Sequence, residues 1–257
     1  MQVKKNWIGF YTLFYREVYR ILRIWPQTLL PPVMTMALYF IIFGDLIGPR
    51  IGEMQGVAYI QYIVPGLVMM SIINNSYMNV SSSFFGNKFQ RNIEELLVAP
   101  MPNYIILGGY VGGGIVRGLL VGILVIFVSL FFTKLKMFAW GATILIAVLT
   151  AVLFSLAGFI NGIFAKKFDD VAIVPMFILT PLTYLGGVFY SIDLLPQFWQ
   201  AVTHANPIFY MVNGFRYGML GVADVTIHYA LIMLFIMALI LYGFSLWLLK
   251  RGIGIKS

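Results

Sequence analysis

Apolar runs of about twenty residues recur along this chain, and each has the helix length needed to cross a hydrocarbon core of roughly 30 Å. No water reaches the backbone there, so every N–H and C=O must be paired within the segment, which makes such runs helices. Six are expected, at about Thr28–Ile47, Val57–Phe85, Tyr104–Phe132, Trp140–Phe164, Val171–Tyr190 and Ile227–Leu249. With 61% hydrophobic and 10% charged residues and a mean hydropathy of +0.91, a soluble domain is excluded. The expectation is an all-α membrane protein forming a single transmembrane domain over residues 1–257.

A net charge of +8 in a soluble protein would point to nucleic acid, but here the basic residues sit between the spans, so no nucleic acid is expected. Six spans leave both termini on one side. A cytoplasmic assignment puts twelve basic residues inside: Lys4, Lys5, Arg16, Arg20, Arg23, Lys88, Arg91, Lys166, Lys167, Lys250, Arg251 and Lys256. Four stay outside, namely Arg50, Lys134, Lys136 and Arg216, and that bias fixes the orientation. Asp45, Arg50 and Glu53 mark the first exit loop. The absence of cysteine removes disulfides and thiolate metal sites. A cleavable signal is not expected, because Arg16 and Glu17 break the run that starts at Trp7.

Residues 8–25 alternate Ile8, Tyr11, Tyr15, Val18, Leu22 and Trp25 with Arg16, Arg20 and Arg23 on the other side. This is an interfacial helix, with its apolar side in the lipid boundary and its arginines toward phosphates and water or toward a partner protein. Within the second span Ser71, Asn75, Asn79 and Ser82 share one helical face, which must look into protein or water: a packing seam or a solute path. Gly108, Gly109, Gly112, Gly113 and Gly114 in the third span predict close helix packing. Arg117, inside the same span, needs to snorkel or to meet a hydrated cavity, an anionic lipid or a substrate head group. Pro175 and Pro181 should loosen the fifth span.

Residues 88–102, KFQRNIEELLVAPMP, form a charged elbow between the second and third spans. As a helix it puts Phe89, Ile93, Leu96 and Leu97 on one face and Gln90, Arg91, Glu94 and Glu95 elsewhere, with Pro100 and Pro102 stopping it. It is a handle for a soluble partner or a solvated loop on the lipid surface.

Residues 191–224 are too apolar for a loop, and their stretches of about ten residues are too short to span, so short helices dipping back into the membrane are expected. Asn206 should cap the second of them, with Pro207 at its first position. Here LLPQFWQAVTHANPIFYMVNGFRYGMLG resembles the C-terminal signature of type-2 ATP-binding-cassette (ABC) export permeases, with Leu195, Pro196, Asn206, Pro207, Tyr210 and Arg216 matching. RNIEELLVAPMP, PLTYLGGVFYS and NGFRYG are similar to the YadH-type bacterial inner-membrane permeases, close to exporters of nodulation lipo-oligosaccharides and polysaccharides. The resemblance covers the whole chain. It implies a homodimeric half-transporter that binds two copies of a separate ATPase, which carries the ATP and magnesium; no cofactor is expected in this chain. It also implies a coupling helix at Gln90, Arg91, Asn92, Ile93, Glu94, Glu95, Leu96 and Leu97, with Arg16 and Arg20 as further contacts to the ATPase.

That expectation agrees with the residues, since no Gly-Lys-Ser/Thr phosphate loop occurs in the chain. An ion-coupled secondary transporter is the alternative, but Asp45 sits at a span's end and no other acid is embedded. An enzyme is disfavoured: His204 and His228 are the only histidines, they stand apart, and neither HExxH nor GxSxG spacing occurs. The aromatic residues suit an interfacial belt or stacking on sugars, so a glycan, a glycolipid or a hydrophobic small molecule is the expected cargo.

Overall fold

The computed structural model describes residues 2–93, 96 and 101–254, which form helices and one small hairpin. Helix α1 (Gln2–Arg23) leads into α2, which runs Trp25–Tyr39 and continues as a π-helical stretch Phe40–Ile47 and a last turn Gly48–Ile51. Strands β1 (Glu53–Met54) and β2 (Val57–Ala58) pair antiparallel. Helices α3 (Tyr59–Phe89), α4 (Asn103–Ser129) and α5 (Trp140–Phe164) follow. Stretch α6 has three parts, Phe168–Val174, Pro175–Leu179 and Thr180–Tyr184. Two short helices, α7 (Gln197–His204) and α8 (Pro207–Leu220), precede α9 (Ile227–Arg251).

Among the described residues, four helices are long and apolar enough to cross a membrane: Trp25–Ile51, Asn103–Ser129, Trp140–Phe164 and Ile227–Arg251. Helix α3 is the longest, at 31 residues, but its polar half keeps its hydropathy low. Its place explains this: α3 is the central post, packed on α4, α5 and α8, and is buried on nearly every side from Tyr62 to Phe85. A helix surrounded by protein does not need a lipid-compatible surface.

The glycines predicted to bring helices together do so along two stripes of α4. A Cβ on Gly109 or Gly113 would lie 2.7 Å from Leu13 Cβ or 2.6 Å from Glu17 Cβ, and one on Gly112 would lie 2.7 Å from the Phe14 ring. That groove holds α1. Gly114, Gly118 and Gly122 form the second stripe, seated against Val80, Ser76 and Ile72 of α3. Since lipid supplies no hydrophobic drive between helices, this close backbone approach is what holds them.

Two expected boundaries are corrected. Asp45 and Arg50 lie inside the first helical run, which extends to Ile51, rather than in an exit loop. The fifth apolar run is helical only to Tyr184, and turns and bends follow where helix was expected up to Tyr190. Its π-helical part starts at Pro175, which has no N–H to donate, and Thr180 Oγ1 donates to the Pro175 carbonyl at 2.9 Å.

Candidate functional site

At the end of the bundle that carries both the α1 start and the α9 end, α3 runs on through Lys88 and Phe89 before the chain reverses at Arg91, whose φ is +62°. Lys88 and Phe89 therefore belong to α3 and not to the elbow helix, a correction to the expected 88–102 unit. The Lys88 ammonium donates to the carbonyls of Ile163 and Ala165 at the end of α5, and Phe85 and Phe89 stack edge-on against Phe168. These contacts tie the start of the elbow to the α5–α6 loop. Beside it, Asp170 in the first turn of α6 accepts from the Lys166 and Lys167 amides at 2.8 and 3.0 Å and so caps that helix.

Within the elbow, Ile93 is buried against Ile105 and Ile106, whereas Gln90, Arg91 and Asn92 are exposed. Leu96 is half-buried beside the same cluster. Glu94, Glu95 and Leu97 lie outside the described residues.

The N-terminal helix turns its apolar side outward, with Ile8, Tyr11, Tyr15, Tyr19 and Leu22 all exposed. Arg16 and Arg20 do not simply face water, as expected; they reach into the bundle, while Arg23 stays exposed. The cause is Glu17, a residue read from sequence only as a break in hydrophobicity. The residue is 1% exposed, and its carboxylate accepts from Ser83 Oγ at 2.7 Å and Arg20 Nη2 at 3.0 Å. Arg16 Nη2 lies 3.6 Å from the same carboxylate and donates to Tyr110 Oη at 3.1 Å. Arg20 also donates to the carbonyl and the Oδ1 of Asn79, at 3.2 and 3.0 Å. A buried carboxylate is tolerated only with such partners, so this layer pins α1 to α3 and α4.

The polar face of α3 divides in two. Ser71 and Asn75 are buried and bond back to the carbonyls of Leu67 and Ser71, and Asn79 belongs to the α1 layer. Ser82 is exposed and donates to Met78 O at 2.6 Å. Arg117 has an acceptor that no search for acids would find. Pro32 lacks the N–H that would bond to Thr28 O, and Arg117 Nη2 donates to that carbonyl at 3.4 Å.

At the opposite end, Asn206 caps α8 by accepting from the Ile208 amide at 3.0 Å, with Pro207 at the first position. Pro196 is the N-cap of α7, and Tyr210 Oη donates to His204 O at 3.0 Å. Arg216, counted from sequence among the outer basic residues, lies in α8 and has no exposed surface. Its guanidinium lies 3.8 Å from the centre of the Tyr62 ring and donates to Gly187 O at 2.6 Å and Tyr62 O at 3.4 Å. The counter-charge, missed from sequence, is Asp224, whose Oδ2 stands 4.0 Å from Arg216 Nη1. Asp224 accepts from Ser191 Oγ at 2.8 Å, and its amide donates to Asn213 Oδ1 at 2.8 Å. The available signal was charge balance: an arginine in an apolar segment calls for an acid close by.

The ABC-2 type transporter family model matches residues 9–220, from α1 to the last residue of α8. The chain belongs to that family. It is 59% identical over 253 residues, 98% of both chains, to the inner membrane transport permease YadH of Escherichia coli K12, and equally to YadH of Shigella flexneri. Nodulation protein J of Neorhizobium galegae is 23% identical over 252 residues, 96% of this chain and 93% of its own. The protein is thus a transport permease of the membrane.

Proposed function

We propose that this permease is the membrane half of an ATP-driven exporter of the bacterial cytoplasmic membrane, working as a homodimer with two copies of a separate ATPase. The observation that carries this is the pairing of family membership over residues 9–220 with a chain that holds no phosphate-binding loop of its own. Residues 90–97 are the coupling segment, which begins at the reversal at Arg91. The ties from Lys88 and Phe89 to the α5–α6 loop support that reading, because a push on the elbow reaches α5 and α6 as well as α3. Arg16 and Arg20 are the further contacts proposed to the ATPase, although each spends part of its surface on Glu17.

In this reading α3 and α6 complete six spans, α7 and α8 are the re-entrant pair, and both termini are cytoplasmic. With Arg216 buried, only Arg50, Lys134 and Lys136 remain as basic residues of the outer side, which sharpens the charge bias. Ser71, Asn75, Asn79, Ser82 and Arg117 are the candidates for the path, and the cargo is a glycan, a glycolipid or a hydrophobic small molecule. Unchanged export by Arg117→Gln would remove Arg117 from the path.

The test is to purify the tagged chain from its native membranes in mild detergent. Vanadate-sensitive ATP hydrolysis should copurify with it, and the chain separated from its partners should have none. A stable, folded permease that brings down no ATPase would contradict the proposal.

A further inference from the structure

The far end of the bundle contains a second device, which the export reading neither uses nor depends on. Residues Gln55 and Gly56 form the two-residue turn between β1 and β2, and both have positive φ, +52° and +76°. Glycine adopts that geometry freely, whereas glutamine does so at a conformational cost that its surroundings must offset. Its side chain shows how. Gln55 Nε2 donates to Ser191 Oγ at 3.2 Å and also to Asp224 Oδ1. Hairpin, 185–191 segment and 221–226 turn therefore meet at one amide.

Beneath that amide lies a charge pair that is incompletely satisfied. Arg216 Nη1 and Asp224 Oδ2 are buried, 4.0 Å apart, and neither has a hydrogen-bond partner. Such a pair depends on the geometry that the surrounding backbone imposes on it. The hairpin has a further hold beside it, where Tyr59 Oη donates to Phe189 O at 3.1 Å.

We propose that the 53–58 hairpin is a strap that closes over the Arg216–Asp224 pair, with Gln55 as its catch, and that undoing this one side chain opens the far end to water. Met54 anchors the hairpin in the core, whereas Gln55 lies at the exposed turn and meets the charged centre through its amide group.

Hydrogen–deuterium exchange on the purified full-length chain in detergent micelles tests it. In Gln55→Ala, amide exchange in segments 187–194 and 221–226 should rise about tenfold or more, the scale expected when hydrogen bonds to a charged group are lost. Gln55→Glu keeps the shape but sets a carboxylate against Asp224, so the rise should be larger still. Amides of α5 should exchange as in the wild type in both variants. Wild-type exchange in the two segments of both variants would overturn the strap. So would a uniform rise across the chain, which would make Gln55 an ordinary contributor to stability.

Discussion

Asp224→Ala is expected to destabilise the protein by about 3–5 kcal/mol, because it leaves the Arg216 guanidinium buried with no counter-charge. Carbonyl bonds to Gly187 and Tyr62 and the face of the Tyr62 ring remain, but none of them carries a negative charge. In a chain of this size the loss corresponds to a fall in melting temperature of roughly 10 °C. Replacing both partners, as Arg216→Met with Asp224→Leu, should be far milder, since the cost lies in an unpaired buried charge rather than in the loss of attraction. The check is thermal unfolding in detergent of the two single variants and the double. Additive losses would show that the residues act independently and that the pair is not the source of the effect.

Gly113→Leu is expected to release α1 from the bundle. A Cβ at that position already lies 2.6 Å from Glu17 Cβ, and the Glu17 carboxylate is held on its other side by Ser83 and Arg20. The added side chain has nowhere to go unless α1 lifts off, which also takes Arg20 away from Asn79. Limited trypsin digestion reads this directly: cleavage after Arg16 and Arg20 should speed up by a factor of about ten or more, if the lost packing is worth about 1–3 kcal/mol. Gly141→Ala, where nothing lies within 4 Å of the added carbon, is the control and should cleave as the wild type. Unchanged digestion of Gly113→Leu would mean that the groove does not hold α1.

The apolar runs placed the long helices well, because membrane length and hydropathy are properties of single segments. Where the sequence pattern misled, the deciding partner lay far along the chain. The α4 glycines announced close packing, but nothing in their spacing said that one stripe would take the N-terminal helix. Arg16 and Arg20 fall on the polar side of α1, and their spacing is equally compatible with water. Only the arrival of Ser83 and Asn79 turns Glu17 inward and the arginines with it. Arg117 found its acceptor in a carbonyl freed by Pro32, a backbone effect across 89 residues. Arg216 was counted among the basic residues of the outer side, and its burial against Asp224 was not legible, since an Arg–Asp pair across a glycine turn leaves no periodic trace. Of the α3 face Ser71, Asn75, Asn79 and Ser82, expected to look into protein or water, the first three are buried in the folded chain and Ser82 is exposed.

Export of the kind proposed requires that a separate ATPase grip the elbow. The most direct measurement is copurification of ATP-hydrolysing activity with the tagged permease carrying Glu94→Lys and Glu95→Lys, compared with the wild type. Loss of the vanadate-sensitive activity is predicted, with the variant inserting and melting as the wild type does. Full activity bound to a correctly inserted variant would contradict the coupling role of residues 90–97.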